Sequence, residues 1–179
     1  MPRKARSAIE NVCSFTQINR ASEQFCPNTF SPVDNTMLHI LLAEDNSGDV
    51  YLVRYALAEN QLRHELHVVR DGEEALRYIA SIGSQEEAPR PDVMLLDLNL
   101  PKVDGPQVLR AFRQNHNCAD VPVIIVTSSD SIEDRAQVAA LGIARYFRKP
   151  INMDEFLKVG TVVREVIRDT GCEQQAILQ

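Results

Sequence analysis

Five short apolar runs, each followed by a stretch with helical spacing, limit this chain to very few folds. His39–Ala43 is the first run, and Asn46 or Ser47 then caps a helix through Asn60 whose Val50, Val53, Ala56 and Leu57 share one face. Leu66–Val69 is the second run, and Asp71 caps a helix with Ala75, Leu76 and Ile79 on its apolar side. A polar loop over Ser81–Pro91 leads to the third run, Val93–Leu96, after which Pro106 opens a helix carrying Val108, Leu109 and Phe112. His116–Asp120 closes that unit as a loop. Val121–Val126 is the fourth run, with Ser131 and Asp134 spaced as a variant capping box for the next helix. Ala144–Phe147 is the fifth, and Asn152 with Glu155 caps a helix that carries Phe156, Val159, Val163 and Val166 and runs to about Arg168. Strands alternating with helices of this length require right-handed crossovers and a parallel sheet covered on both faces. The fold class expected is α/β, a doubly wound five-stranded parallel sheet.

In such a sheet, chemistry sits beyond the carboxyl ends of the strands. Glu44 and Asp45 follow the first strand, Asp97 ends the third, Thr127 ends the fourth and Lys149 follows the fifth, so one crevice receives all of them. Three converging carboxylates repel one another unless a cation holds them. A hard divalent ion such as Mg2+ takes oxygens from one or two carboxylates, water and a phosphoryl group, which suits this set. Lys149 adds a point charge able to pair with Asp97 or an incoming phosphoryl oxygen. Asp97 is the expected nucleophile, because a carboxylate can hold an acyl phosphate. Alone, each residue has a plainer reading: a solvated loop acid, a turn hydroxyl, a core tyrosine at Tyr146, a surface lysine. The joint pattern is what points to a site.

Leu41-Leu42-Ala43-Glu44-Asp45-Asn46, Leu95-Leu96-Asp97-Leu98-Asn99-Leu100-Pro101, Val126-Thr127-Ser128 and Tyr146-Phe147-Arg148-Lys149-Pro150 together resemble the response-regulator receiver domain of two-component signalling, over about residues 37–168. The resemblance implies a flavodoxin-like fold with Asp97 as phosphoacceptor. It implies Asp45 and Asp97 as direct metal ligands, Glu44 as a ligand through water, and Asn99 as a ligand through its backbone carbonyl. Thr127 is then the switch hydroxyl, Lys149 the charge partner, and Tyr146 the ring that turns inward when the threonine moves. Small Ser128 leaves Asp97 accessible to a phosphohistidine, while Asn99 and Ser129 hold positions that influence how long the acyl phosphate lasts.

Glu44-Asp45-Asn46-Ser47-Gly48-Asp49, Val69-Arg70-Asp71-Gly72-Glu73-Glu74-Ala75-Leu76 and Asp97-Leu98-Asn99-Leu100-Pro101-Lys102 resemble, more finely, the stand-alone group associated with bacterial phytochrome kinases. That resemblance implies a sensor histidine kinase as partner and a homodimer through Ser131–Leu141 and Phe156–Ile167, the last two strand-helix units. Two alternatives stay open: a relay carrier that passes the phosphoryl group to a histidine phosphotransfer protein, and a receiver-like interaction module that is not phosphorylated. A flavin carrier of similar fold is disfavoured, because Glu44-Asp45 would repel the phosphate. A haloacid-dehalogenase-type phosphatase would carry an acid where Asn99 stands.

A net charge of −6 and a pI near 5.2 argue against nucleic-acid binding. No apolar run approaches the roughly 18 residues of a membrane span, so a cytoplasmic protein without a membrane anchor is expected. Residues 1–36 are read as a poorly ordered N-terminal extension, 37–168 as the receiver domain and 169–179 as a tail. Met37 marks a candidate start for the folded part. Cys13, Cys26, Cys118 and Cys172 lack CxxC spacing and are read as free thiols. His39, His64, His67 and His116 show no common face and are read as structural or surface residues, which removes the case for a zinc site and for an internal phosphohistidine.

Overall fold

The structure is a computed structural model that describes residues 37–84 and 88–176. The readings of residues 1–36 as a poorly ordered extension and of Cys13 and Cys26 as free thiols lie outside the described residues, as do the side chain of Cys172 and the last three residues of the expected tail.

Five parallel strands form one sheet in the order β2-β1-β3-β4-β5: β1 Leu38–Ala43, β2 His64–Val69, β3 Val93–Leu96, β4 Val123–Thr127 and β5 Arg145–Arg148. This is the flavodoxin-like order, whose switch point lies between β1 and β3. Helices α1 (Ser47–Glu59), α5 (Met153–Phe156) and α6 (Lys158–Ala176) cover one face, and α2 (Gly72–Ser81), α3 (Gly105–Gln114) and α4 (Ile132–Ala139) cover the other.

The alternation of side chains along the central strands feeds two cores. On β1, Leu41 and Ala43 join Met94, Leu96, Leu109 and Phe112 under α2 and α3, while Ile40 and Leu42 join Leu95, Val53, Leu57 and Val163 under α1 and α6. Both faces of β3 and β4 are buried, so these strands read as unbroken apolar runs.

Caps define the helix starts. The Asn46 side chain accepts from the N–H groups of Gly48 and Asp49, Asp71 from Glu74, Asp104 from Gln107, and Asn152 from Asp154. At α4 the expected capping box is open rather than reciprocal. Ser131 Oγ accepts from the Asp134 N–H, but the Asp134 carboxylate takes the Ser129 hydroxyl, whose oxygen accepts from the Ser131 N–H. Ser129 thus relays the bond that Asp134, shorter than glutamate, does not make itself.

The last helical segment departs from expectation in two ways. A one-residue turn at Leu157 separates α5 from α6, and α6 continues to Ala176, eight residues past Arg168. The apolar stripe ends near Ile167, so periodicity stops signalling while the backbone stays helical. Thr170 Oγ1 donates back to the Val166 carbonyl, and Asp169 pairs with Arg145. Gly160 lets α6 approach α1: a β-carbon there would stand 2.3 Å from the Ala56 carbonyl oxygen.

The histidine reading also changes. β1 and β2 pair with His39 beside Glu65, and His67 follows two residues later on the same face of β2. His39 Nδ1 and His67 Nε2 are 3.3 Å apart, so two of the four histidines do meet.

Candidate functional site

Among the described residues, the buried polar or charged side chains are Glu44, Asp97 and Thr127, at 1%, 4% and 0% exposure. All three were singled out from the sequence, and all sit at the carboxyl ends of central strands. Burying charge is costly unless it is paired, and here one lysine pairs with two of these groups. Lys149 Nζ lies 2.6 Å from Asp97 Oδ2, 2.7 Å from Glu44 Oε2 and 2.8 Å from Asp49 Oδ2.

Burial alone would lower the Lys149 pKa, but hydrogen bonds to Asp49, Asp97 and Glu44 outweigh it and hold the ammonium above its ordinary value. Glu44 is pushed up to about 7. Burial is the main cause and the Asp97 charge adds to it, while Lys149 and the Asn46 N–H pull the other way. At neutral pH this carboxyl is poised between its two forms, and a second cation beside it would draw it to the ionised one.

Backbone geometry holds the pieces in place. The Asp97 N–H donates to the Ala43 carbonyl, and the Asn99 N–H donates to Asp97 Oδ1 at 3.1 Å, leaving Oδ2 for Lys149. Gly105 lets the following loop fold back: a β-carbon there would stand 2.6 Å from the Asp97 carbonyl oxygen. The Lys149 N–H donates to the Thr127 carbonyl, tying the lysine to the end of β4, while Thr127 Oγ1 accepts from the Ser129 N–H at 3.2 Å.

Tyr146 lies on β5 with its hydroxyl donating to the Ser129 carbonyl at 3.0 Å and its ring 4.8 Å from the Arg135 guanidinium carbon. It therefore bridges β5, the β4–α4 loop and α4. Asp45 is exposed, yet one ligand oxygen from each of Glu44, Asp45 and Asp97 lies within 4.8 Å of the others. Oxygen donors alone, two of them buried, fit a hard divalent cation and not a soft one.

One participant, Asp49, and the contacts of a second, Ser129, escaped the sequence reading. Asp49 stands in the first turn of α1, three residues after the N-cap Asn46, and its carboxylate reaches Lys149 at 2.8 Å; an acid so soon after Glu44-Asp45 was the available signal. Ser129 links Thr127, Tyr146 and Asp134, contacts that depend on the path of the β4–α4 loop and carry no sequence signature.

The sequence model of the response regulator receiver domain matches residues 40–160. The chain belongs to that family. Rcp1, a response regulator of Synechocystis sp., is 38% identical to this receiver over 120 residues, covering 67% of this chain and 82% of that protein. Among solved structures, the phosphorylated cyanobacterial phytochrome response regulator RcpA superposes with a TM-score of 0.68 at 34% identity, covering 75% of this chain and 96% of RcpA. The Mn2+-bound form of Rcp1 gives a TM-score of 0.64 at 36% identity over 70% of this chain and 91% of that one. The receiver domain of the Pseudomonas aeruginosa sensor kinase PA1611, with magnesium in its active-site cleft, gives 0.58 at 28% identity over 76% of this chain and 99% of that one. This receiver is thus homologous to phytochrome response regulators. No described helix is long and apolar enough to cross a membrane.

Proposed function

We propose that this receiver accepts a phosphoryl group on Asp97 from the phosphohistidine of a sensor histidine kinase and signals through the resulting change in shape and charge. The observation that carries the reading is the lysine-bridged pair of buried carboxylates at the switch point of the sheet. A fold that only needed stability would gain more from apolar side chains there.

In the reaction, an Asp97 carboxylate oxygen attacks phosphorus, the P–N bond to the donor imidazole breaks, and the imidazole leaves with the bonding pair and takes up a proton. Lys149 moves with the charge, from the carboxylate it now contacts to an equatorial phosphoryl oxygen. Asp45 and Asp97 would hold Mg2+ directly, Asn99 through its carbonyl and Glu44 through water. When bound, the ion would supply positive charge beside the transferring group. Exposed Asp45 at the rim leaves a side open to solvent for its waters.

Thr127 is the proposed reporter. Its hydroxyl now satisfies the Ser129 N–H, and a phosphoryl oxygen would offer a stronger, charged acceptor. Its motion would disturb Ser129, whose carbonyl holds the Tyr146 hydroxyl, and so release the ring from its place against Arg135. Such a change is a population shift driven by the added charge. The surface it alters comprises α4, β5 and the segment from Phe156 to Ile167, the proposed face for a homodimer. The receiver is proposed to work in the cytoplasm, and its proposed donor is a sensor kinase of the bacterial phytochrome type, in keeping with the homology to Rcp1 and RcpA.

The test is incubation with acetyl phosphate and Mg2+, comparing the native chain with Asp97→Asn. Labelling should require both Asp97 and the cation; equal labelling of the two proteins would refute the assignment. Light scattering on the phosphorylated native protein tests the dimer, which a monomer at high concentration would exclude.

A further inference from the structure

We infer that His39, Glu65 and His67 form a second metal site, selective for a nitrogen-seeking divalent ion such as Zn2+. It lies on one face of the β1–β2 pair, with His39 near the start of β1 and His67 midway along β2, away from the phosphoacceptor crevice. His39 stands five residues before Glu44 along β1, or about 16 Å at strand rise.

Register and pleat build this site. Parallel pairing sets His39 beside Glu65, and His67 follows on the same face of the edge strand. The two ring nitrogens are 3.3 Å apart, close enough to share a proton, and two imidazoles on one tetrahedral ion at bonds of about 2.0–2.1 Å have nitrogens separated by roughly the same distance. The Glu65 carboxylate completes a triangle, with Oε2 3.7 Å from His39 Nδ1 and Oε1 3.9 Å from His67 Nε2. Both distances exceed hydrogen-bond reach, yet Glu65 is 60% exposed and free to extend into water. A carboxylate turned toward two nitrogens it does not bond is placed for an ion between them.

The surroundings suit a ligand set. The His67 side chain is 17% exposed and tilted against the Tyr78 ring, which fixes its orientation, while His39 at 34% leaves a path for the ion. The Asp92 carboxylate accepts from the His39 N–H, and the Asp92 N–H donates to the His39 carbonyl, clamping the strand that carries one ligand. Three protein donors leave a fourth position for water. Two nitrogens and one oxygen favour zinc, cobalt or nickel over magnesium. An ion here would staple β2, a sheet edge, to β1.

The probe is Co2+, because a four-coordinate cobalt ion absorbs strongly in the visible and a six-coordinate, all-oxygen one weakly. The full chain is titrated with excess Mg2+ present to fill the acidic crevice. Cys13, Cys26 and Cys172 are replaced by serine so that thiolates supply no ligand. The expected result is a strong one-to-one spectrum, displaced by Zn2+ and lost in both Glu65→Gln and His67→Gln. Each variant should keep Mg2+-dependent labelling by acetyl phosphate, which reports an intact fold. A weak spectrum in the parent protein would overturn the inference, as would an unchanged one in Glu65→Gln, an exposed substitution that leaves the core untouched.

Discussion

Lys149→Ala isolates the electrostatics of the crevice, because it removes one ammonium from three carboxylates. Two partners, Glu44 and Asp97, have side chains only 2% and 6% exposed, and the lysine side chain itself is 10% exposed, so solvent screens these contacts little. Asp49 is 25% exposed and can relax outward. Breaking a buried ion pair by deleting one partner costs about 3–5 kcal/mol, and protonation of Glu44 offsets part of that. The native Glu44 pKa of about 7 lies above its ordinary 4.5, so between those values the folded chain holds more protons than the unfolded one. Stability from this group therefore falls as pH rises through that window. Without Lys149, which pulls the Glu44 pKa down, protonation persists to higher pH and the fall is steeper. The expected loss is about 3 kcal/mol at about pH 8 in chelator, shrinking toward about pH 5. Urea unfolding followed by circular dichroism measures it. A loss under about 1 kcal/mol at the higher pH, or one that grows on acidification, would refute the reasoning.

Three further outcomes follow from other parts of the molecule. Gly160→Ala should destabilise the fold by about 1–2 kcal/mol in urea unfolding, since overpacking against the Ala56 carbonyl outweighs the helix propensity gained; a neutral or stabilising effect would mean that α1 and α6 are not so closely packed. Tyr78, pushed up to about 12 by burial and then by the Glu65 charge, should be the late phase in an ultraviolet titration of the tyrosines and vanish in Tyr78→Phe. Its folded pKa exceeds the unfolded value of about 10, so its contribution to stability is complete below that pH and is lost as pH rises through the interval to about 12. Thr127→Ala should leave Asp97 labelling by acetyl phosphate intact while removing the phosphorylation-dependent change in Tyr146 fluorescence, with Tyr146→Phe as control; an undiminished change would place the coupling elsewhere.

The parts of the fold legible in the sequence are those where one strand's own residues decide burial. Val93–Leu96 was bounded correctly because a strand buried on both faces must be apolar throughout. Other strands were shifted: β5 runs Arg145–Arg148 and β2 starts at His64, since pairing with a neighbour recruits polar residues that no apolar run includes, and β4 runs Val123–Thr127 rather than Val121–Val126, its last ladder pair being Thr127 with Arg148. The crevice was legible because strand ends mark it, and acids at two such ends with a lysine at a third have few structural uses. Asp49 was missed because its route to the crevice runs through a helix turn, and the His39–His67 contact because it depends on the register between two strands. Thr127 was found at the end of its strand, its switch role and that of Tyr146 came by resemblance to the receiver family, and the structure adds the path between them through Ser129.

The central claim is that Asp97 becomes the phosphorylated residue, and the site of modification can be read directly. The native protein is phosphorylated with acetyl phosphate and Mg2+, trapped with borohydride, digested and mapped by tandem mass spectrometry. Reduction should fall on Asp97, depend on Mg2+ and disappear with hydroxylamine treatment before trapping. Reduction at Asp45, Asp49 or any other carboxylate with Asp97 unmodified would contradict the account.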